Sequence, residues 1–193
     1  CCGQIFSSKG FTDAYRLMAN KTIEKLWQHS KEGTIPVVLD TTSCTQTFRS
    51  GISYLKDINK KRFEKMVFMD SIDFIAKKLL PRLKISSPKE SIIFHPVCSV
   101  FKMGSLANLQ RIGDACSKQA TVPVFAKCCG MAGDRGFYYP SLTAAATKTE
   151  AGEVKQKDYD GYYSSTRTCE MALSDAVGKN YESILKLVDE VTN

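Results

Sequence analysis

The sequence has no apolar run near the roughly 20 residues that a membrane-crossing helix requires. No charged-then-apolar leader opens it either. The expected location is therefore cytoplasmic, and the net charge of +7 leaves room for peripheral contact with the inner face of a membrane. A basic stripe is also missing. Apart from Lys60-Lys61-Arg62, the 27 lysines and arginines are scattered, which argues against nucleic acid as a partner. That short basic run reads as a solvated turn. No glycine-rich dinucleotide fingerprint follows a strand-like segment, so the chain is not expected to bind a flavin or a hydroxy-acid substrate by itself.

What the sequence does have is cysteine: eight in 193 residues, with an apolar fraction of 43%. Small secreted chains use cysteine for disulfides, but this one carries long helical patterns and enough apolar residues for a core. Intracellular thiols at motif spacing point to metal binding or catalysis.

Two stretches nearly repeat each other. Cys128-Cys129-Gly130 opens a loop through Gly133, Asp134 and Arg135 to Gly136-Phe137, and Cys1-Cys2-Gly3 opens one through Ser7 and Ser8 to Lys9-Gly10-Phe11. Each is answered later by a lone cysteine. Val37-Val38-Leu39 leads to Thr41-Thr42-Ser43-Cys44, and Tyr162-Tyr163 leads to Thr166-Arg167-Thr168-Cys169. The chain reads as a duplicated unit, with 1–87 as the first repeat and 88–193 as the second, hinged near Ser86-Ser87-Pro88-Lys89. Because the chain begins on the motif at Cys1, the first repeat is expected to be truncated, with a fourth thiol upstream.

Helical periodicity runs from Phe11 to Trp27 and stops at Gly33. Further helices are expected over 45–55, from Asp70 or Ser71 to Pro81, over 106–116, 142–154, 169–177 and 181–191. Strands are expected at 35–39, 67–68, 92–94, 122–125 and 161–164. This alternation predicts an α/β fold, each repeat a small mostly parallel sheet flanked by helices. Ligands in such folds gather beyond the strand carboxyl ends. Cys44, Cys98, Cys128, Cys129 and Cys169 all fall there.

Four soft ligands, Cys98, Cys128, Cys129 and Cys169, suit a tetrahedral zinc or an iron–sulfur cluster. The first half offers Cys1, Cys2 and Cys44. Gly130 gives the turn its backbone freedom. The N–H groups of Gly130, Gly133 and Gly136 are expected to face cluster sulfurs, and Arg135 with Lys127 to offset their charge. Cys116 sits on an apolar helix face and reads as core. His95 reads as a residue orienting the turn before Cys98, and His29 as a solvated base at a helix end.

Taken together, Cys98, Cys128-Cys129-Gly130 and Thr166-Arg167-Thr168-Cys169 resemble the cysteine-rich CCG domain. That domain occurs in heterodisulfide reductase and in the iron–sulfur subunits of glycolate and glycerol-3-phosphate dehydrogenases. The family pattern ends in Cys-x-x-Cys, and Thr166 and Thr41 stand where its first cysteine would be. Leu39 to Cys44, His95-Pro96-Val97-Cys98, Cys128 to Gly136 and Ser164 to Glu170 are similar to the C-terminal region of FAD-linked D-lactate dehydrogenases. The resemblance implies a 4Fe–4S-type cluster, with zinc as an alternative ion. It also implies FAD on a preceding part, a flavin domain and a ferredoxin-like segment in the same full-length chain, and a quinone or another electron acceptor. Rival readings are a structural zinc module and thiol–disulfide chemistry at Cys128 and Cys129.

Overall fold

The computed structural model describes residues 1–192. It is a mixed α/β structure with two sheets, both wholly parallel: two strands in the first half and four, ordered β4-β3-β5-β6, in the second. In the first half, α1 (Gln4–Ser7) and α2 (Thr12–His29) precede β1 (Val37–Leu39), α3 (Thr42–Ser50), α4 (Asp57–Lys65) and β2 (Phe68–Asp70). A helical segment, α5 (Ser71–Phe74), then continues as a wider turn and a 3-10 turn to Arg82, where Pro81 ends it. The second half holds β3 (Lys89–His95), α6 (Cys98–Met103), α7 (Leu106–Cys116) and β4 (Ser117–Thr121), then α8 (Arg135–Tyr138), α9 (Pro140–Val154), β5 (Gly161–Ser164), α10 (Arg167–Val177), β6 (Tyr181–Ser183) and α11 (Ile184–Thr192).

The β–α–β unit recurs in matching register. Val37, Val38 and Leu39 face Phe68, Met69 and Asp70. Tyr162, Tyr163 and Ser164 face Tyr181, Glu182 and Ser183. Even the start of the next helix repeats: Asp70 accepts the N–H of Ile72, and Ser183 the N–H of Leu185. These are N-cap contacts that satisfy an otherwise orphaned donor.

Two apolar clusters hold the sheets. Tyr15, Ile23, Phe48, Leu55 and Met66 form the smaller, with Phe63 stacked on Phe68 at 4.7 Å. The larger is built on Ile92, Ile93 and Phe94 of β3, all fully buried in a strand that is paired on both edges. It also takes in Ile72, Ile75 and Ala76, so α5 packs into the second half's core although its sequence lies before the expected hinge. Ile184, Leu187, Val188 and Val191 repeat at helical spacing and close the core with α11.

Four sequence expectations need correcting. The strand expected at 122–125 is a loop. Instead β4 begins directly after Cys116, where Ser117 Oγ turns back to Gly113 O at 2.9 Å. Pro123 has no N–H for a ladder, and the N–H groups of Val124 and Phe125 go to the Glu153 carboxylate at 2.8 and 3.0 Å. The helix expected from 45 starts at Thr42, which places Cys44 inside its first turn. Lys60-Lys61-Arg62 lies on α4 and not in a turn; Asp57 in its first turn and Arg62 and Lys65 in its last suit the helix dipole. The segment 181–191 begins as β6, with Tyr181 fully buried.

Candidate metal centre

Each half brings its thiols together by the same local geometry. Thr41 and Thr166 are extended N-caps, and Cys44 and Cys169 occupy the third position of the helices that follow. Cys44 N–H bonds Thr41 O and Cys169 N–H bonds Thr166 O, both at 2.9 Å. Opposite them stand the vicinal pairs. Gly3 (φ +83°) and Gly130 (φ +79°) are both left-handed, which lets adjacent cysteines sit in a loop. Cys1 and Cys128 are exposed, and Cys2 and Cys129 are buried. Backbone donors repeat as well. Gly3 N–H reaches Cys1 Sγ at 3.4 Å, and Gly130 N–H acts on Cys128. Gln4 N–H acts on Cys2, and Met131 N–H on Cys129.

In the second half the sulfurs form a chain of contacts. Cys129 Sγ lies 2.9 Å from Cys169 Sγ, and Cys128 hydrogen-bonds both Cys129 and Cys98. Cys98 joins from the first residue of α6, just beyond β3. All four predicted thiols of the second site are thus brought together, and so are Cys2 and Cys44 of the first. Cys116 is elsewhere, fully buried on α7, where burial pushes its thiol up to about 11.

The chain of contacts polarises the thiols. The hydrogen bond from Cys44 lowers Cys2 to about 6, and that from Cys129 lowers Cys169 to about 6. Cys128 is lowered by Cys129 and Cys98, whereas Cys44, Cys98 and Cys129 are raised as donors to their partners. Thiolates held this way at neutral pH are the form that binds metal. Among the described residues no group of three or more Cys, His, Asp or Glu stands in finished metal-holding geometry. The reason is visible in the contact distance: 2.9 Å is shorter than the roughly 3.8 Å that two sulfurs keep on a tetrahedral ion with metal–sulfur bonds of about 2.3 Å. The donor set is soft, partly ionised and lined by N–H groups, so it fits zinc or iron–sulfur in kind. Binding would require the sulfurs to separate.

The basic group acting on these thiols from inside is His95, which the sequence suggested was only a turn-orienting residue. It ends β3, fully buried, and its Nδ1 donates to Glu150 Oε1 at 2.8 Å. Burial alone would lower its pKa, but Cys169 and Glu150 outweigh that and raise it to about 9. Its charge also lowers Cys128 and Cys169. Sequence reasoning missed Glu150 altogether. The signal was present: Thr147, Glu150, Ala151 and Val154 share the buried face of α9 at helical spacing, so a carboxylate sits where the pattern demands an inward side chain.

The loop residues expected to face a cofactor divide differently. Gly130 is placed as expected, with its N–H on Cys128. Gly136 N–H closes the loop on Met131 O at 3.1 Å, and a Cβ there would lie 2.4 Å from Met131 Sδ. Arg135 donates to Ser8 O at 2.9 Å, and Lys9 Nζ meets Asp134 Oδ2 at 2.7 Å. Gly133 lies against Ser8 and Ile5 of the same contact. The two Cys-Cys-Gly loops therefore dock on each other through these residues. Lys127 is exposed, and no helix is long and apolar enough to cross a membrane among the described residues.

Comparison with known proteins agrees with this geometry. The model of the cysteine-rich domain CCG matches residues 92–174. A subunit of anaerobic glycerol-3-phosphate dehydrogenase from Escherichia coli strain K12 is 23% identical over 198 aligned positions, covering 97% of this chain and 48% of the relative. The protein of the same name from E. coli O157:H7 matches equally. The chain spans about half the length of these curated relatives. The stretch 92–174 that is similar to the cysteine-rich CCG domain includes Cys98, Cys128, Cys129, Cys169, His95 and Glu150.

Proposed function

We propose that this chain is an iron–sulfur electron-transfer module of a flavin-linked dehydrogenase. The observation that carries the reading is the convergence of Cys98, Cys128, Cys129 and Cys169 beyond β3, β4 and β5, with N–H donors on two of the sulfurs. A bound cluster supplies one-electron storage, with a potential tuned by hydrogen bonds to sulfur and by burial. The chain's own part is to hold four thiolates, to shield Cys129 and Cys169 from water, and to leave Cys128 at the surface, where an electron partner can approach. The flavin part, a ferredoxin-like segment and a quinone or other acceptor are the partners this role requires. A D-2-hydroxy acid of the D-lactate type is the substrate class we assign to the whole enzyme, on the likeness of the Cys128 to Gly136 loop to that family. The E. coli relatives carry a glycerol-3-phosphate name, which makes that alcohol the competing substrate.

The sulfur contact between Cys129 and Cys169 favours a second reading, thiol–disulfide exchange. Anaerobic reconstitution with iron and sulfide separates the two, and zinc analysis tests the structural-ion alternative. A brown chain with stoichiometric iron and acid-labile sulfide supports the electron-transfer module. A colourless chain that binds zinc tightly, or one that cycles a Cys129–Cys169 disulfide without metal, contradicts it.

A further inference from the structure

We propose that the outer edge of β1 is a strand-accepting surface, which takes an extended apolar segment of a partner polypeptide and pairs with it in parallel. The second half supplies the template. There β5, the counterpart of β1, is paired on both edges, with β6 on one side and β3 on the other. In the first half β2 stands where β6 does, and among the described residues no strand stands where β3 does. Register carries the comparison to single residues. Val37, Val38 and Leu39 match Tyr162, Tyr163 and Ser164, which β3 meets with Ile93, Phe94 and His95. Backbone direction agrees. Val37 N–H bonds Val67 O at 2.8 Å, so Val37 addresses β2. Alternation along the strand turns the N–H and C=O of Val38 to the other edge. Side chains agree as well: Val38 is 40% exposed and Ile35 45%, whereas Tyr163 at the place matching Val38 is 2% exposed. An unbroken Val-Val-Leu run is the pattern of a strand buried inside a parallel sheet. Edge strands are commonly blunted by charge, and β1 carries none. The occupant is defined by what β3 offers β5: a short extended run with a β-branched residue and then an aromatic ring, as Phe94 lies 6.4 Å from the Tyr163 ring. Main-chain bonds to Val38 would supply attachment, and apolar side chains beside it preference. A parallel strand here ends on the side of Cys44, just as β3 ends on the side of Cys98. The inference is independent of what the thiols bind.

The test uses as probe a synthetic peptide of residues 89–97 of this chain, which carries the β3 sequence, added at millimolar concentration to the intact chain. Amide hydrogen exchange is read by NMR. Exchange at Val38 should slow about tenfold or more, and that at Tyr163 should not change. A scrambled peptide should have no effect. Val38→Pro, which lacks the edge donor, should bind the peptide about tenfold more weakly. A paramagnetic label on the peptide's amino end should broaden Ile35, and one on its carboxyl end Asp40. No slowing at Val38, equal slowing by the scrambled peptide, undiminished binding by Val38→Pro or the reversed label pattern overturns the proposal. So does a dimer of the peptide-free chain that protects Val38, because a second copy would then be the occupant. Should Val38→Pro fail to fold by circular dichroism, Val38→Lys decides. It keeps the N–H but sets a charge on the edge, and undiminished peptide binding there also overturns the proposal.

Discussion

The two halves share a β–α–β unit down to its strand register, yet they surround their thiols differently. The first gathers Cys2 and Cys44 with an exposed Cys1. The second adds Cys98 from β3 and α6, and the buried His95–Glu150 pair, neither of which has a counterpart among the described residues of the first half. Where the second half has only Gly178, Lys179 and Asn180 between its helix and strand, the first inserts a 3-10 turn and α4. The repeated loop is thus enough to place two sulfurs side by side. The fourth thiol of the proposed centre, Cys98, comes from the end of the central strand β3.

The comparison can be broken most forcefully at the paired glycines. A Cβ on Gly130 would lie 2.8 Å from Leu142 O and 2.9 Å from Ala146 Cβ, on top of its left-handed φ. A Cβ on Gly3 would meet mainly the Tyr15 ring, at 2.7 Å, and a side chain can move. Gly130→Ala should therefore cost about 3 kcal/mol and Gly3→Ala about 1 kcal/mol, read from urea midpoints. Equal losses would mean that the two loops are built alike after all.

Next in size is the strand-end cap. Asp70 is fully buried and accepts from Thr45 at 2.7 Å, Ile72 N–H at 3.1 Å and Thr42 at 3.3 Å. Asp70→Ala should cost about 2 kcal/mol, and Ser183→Ala at the matching place roughly 0.5–1 kcal/mol. The sign of the pH effect follows from burial, which raises the Asp70 pKa above its ordinary 3.8 against the pull of its three donors. A raised carboxyl is penalised when ionised. The penalty is complete above the folded pKa and is relieved as pH falls through that value toward 3.8. Wild type should thus gain stability relative to Asp70→Asn on acidification across that window. A constant difference would show that Asp70 does not titrate differently on folding.

The smallest effect is expected at the loop–loop contact. Lys9→Ala removes a solvent-facing ion pair with Asp134 and should leave the urea midpoint unchanged within error. A clear loss would show that docking of the two loops supports the fold.

Much of this was legible in the sequence because it depends on local pattern. Repeated Cys-Cys-Gly and Thr-x-x-Cys segments, apolar strand runs and the Asp70 cap all announced themselves. What was not legible depended on tertiary partners. Val124 and Phe125 look like strand residues until Glu153 takes their N–H groups. Arg135 looks like a charge partner for thiolates until Ser8 O takes its guanidinium. His95 and Glu150 are 55 positions apart in sequence, and only β3 packing near α9 makes them a pair.

The proposed four-thiolate centre draws all its ligands from the second half of the chain. Iron and acid-labile sulfide should be measured after anaerobic reconstitution of wild type, Cys129→Ser, Cys2→Ser and Cys116→Ser. Near-complete loss is expected in Cys129→Ser, little change in Cys2→Ser and none in Cys116→Ser. Retained cluster in Cys129→Ser, or an equal loss in Cys2→Ser, would contradict it.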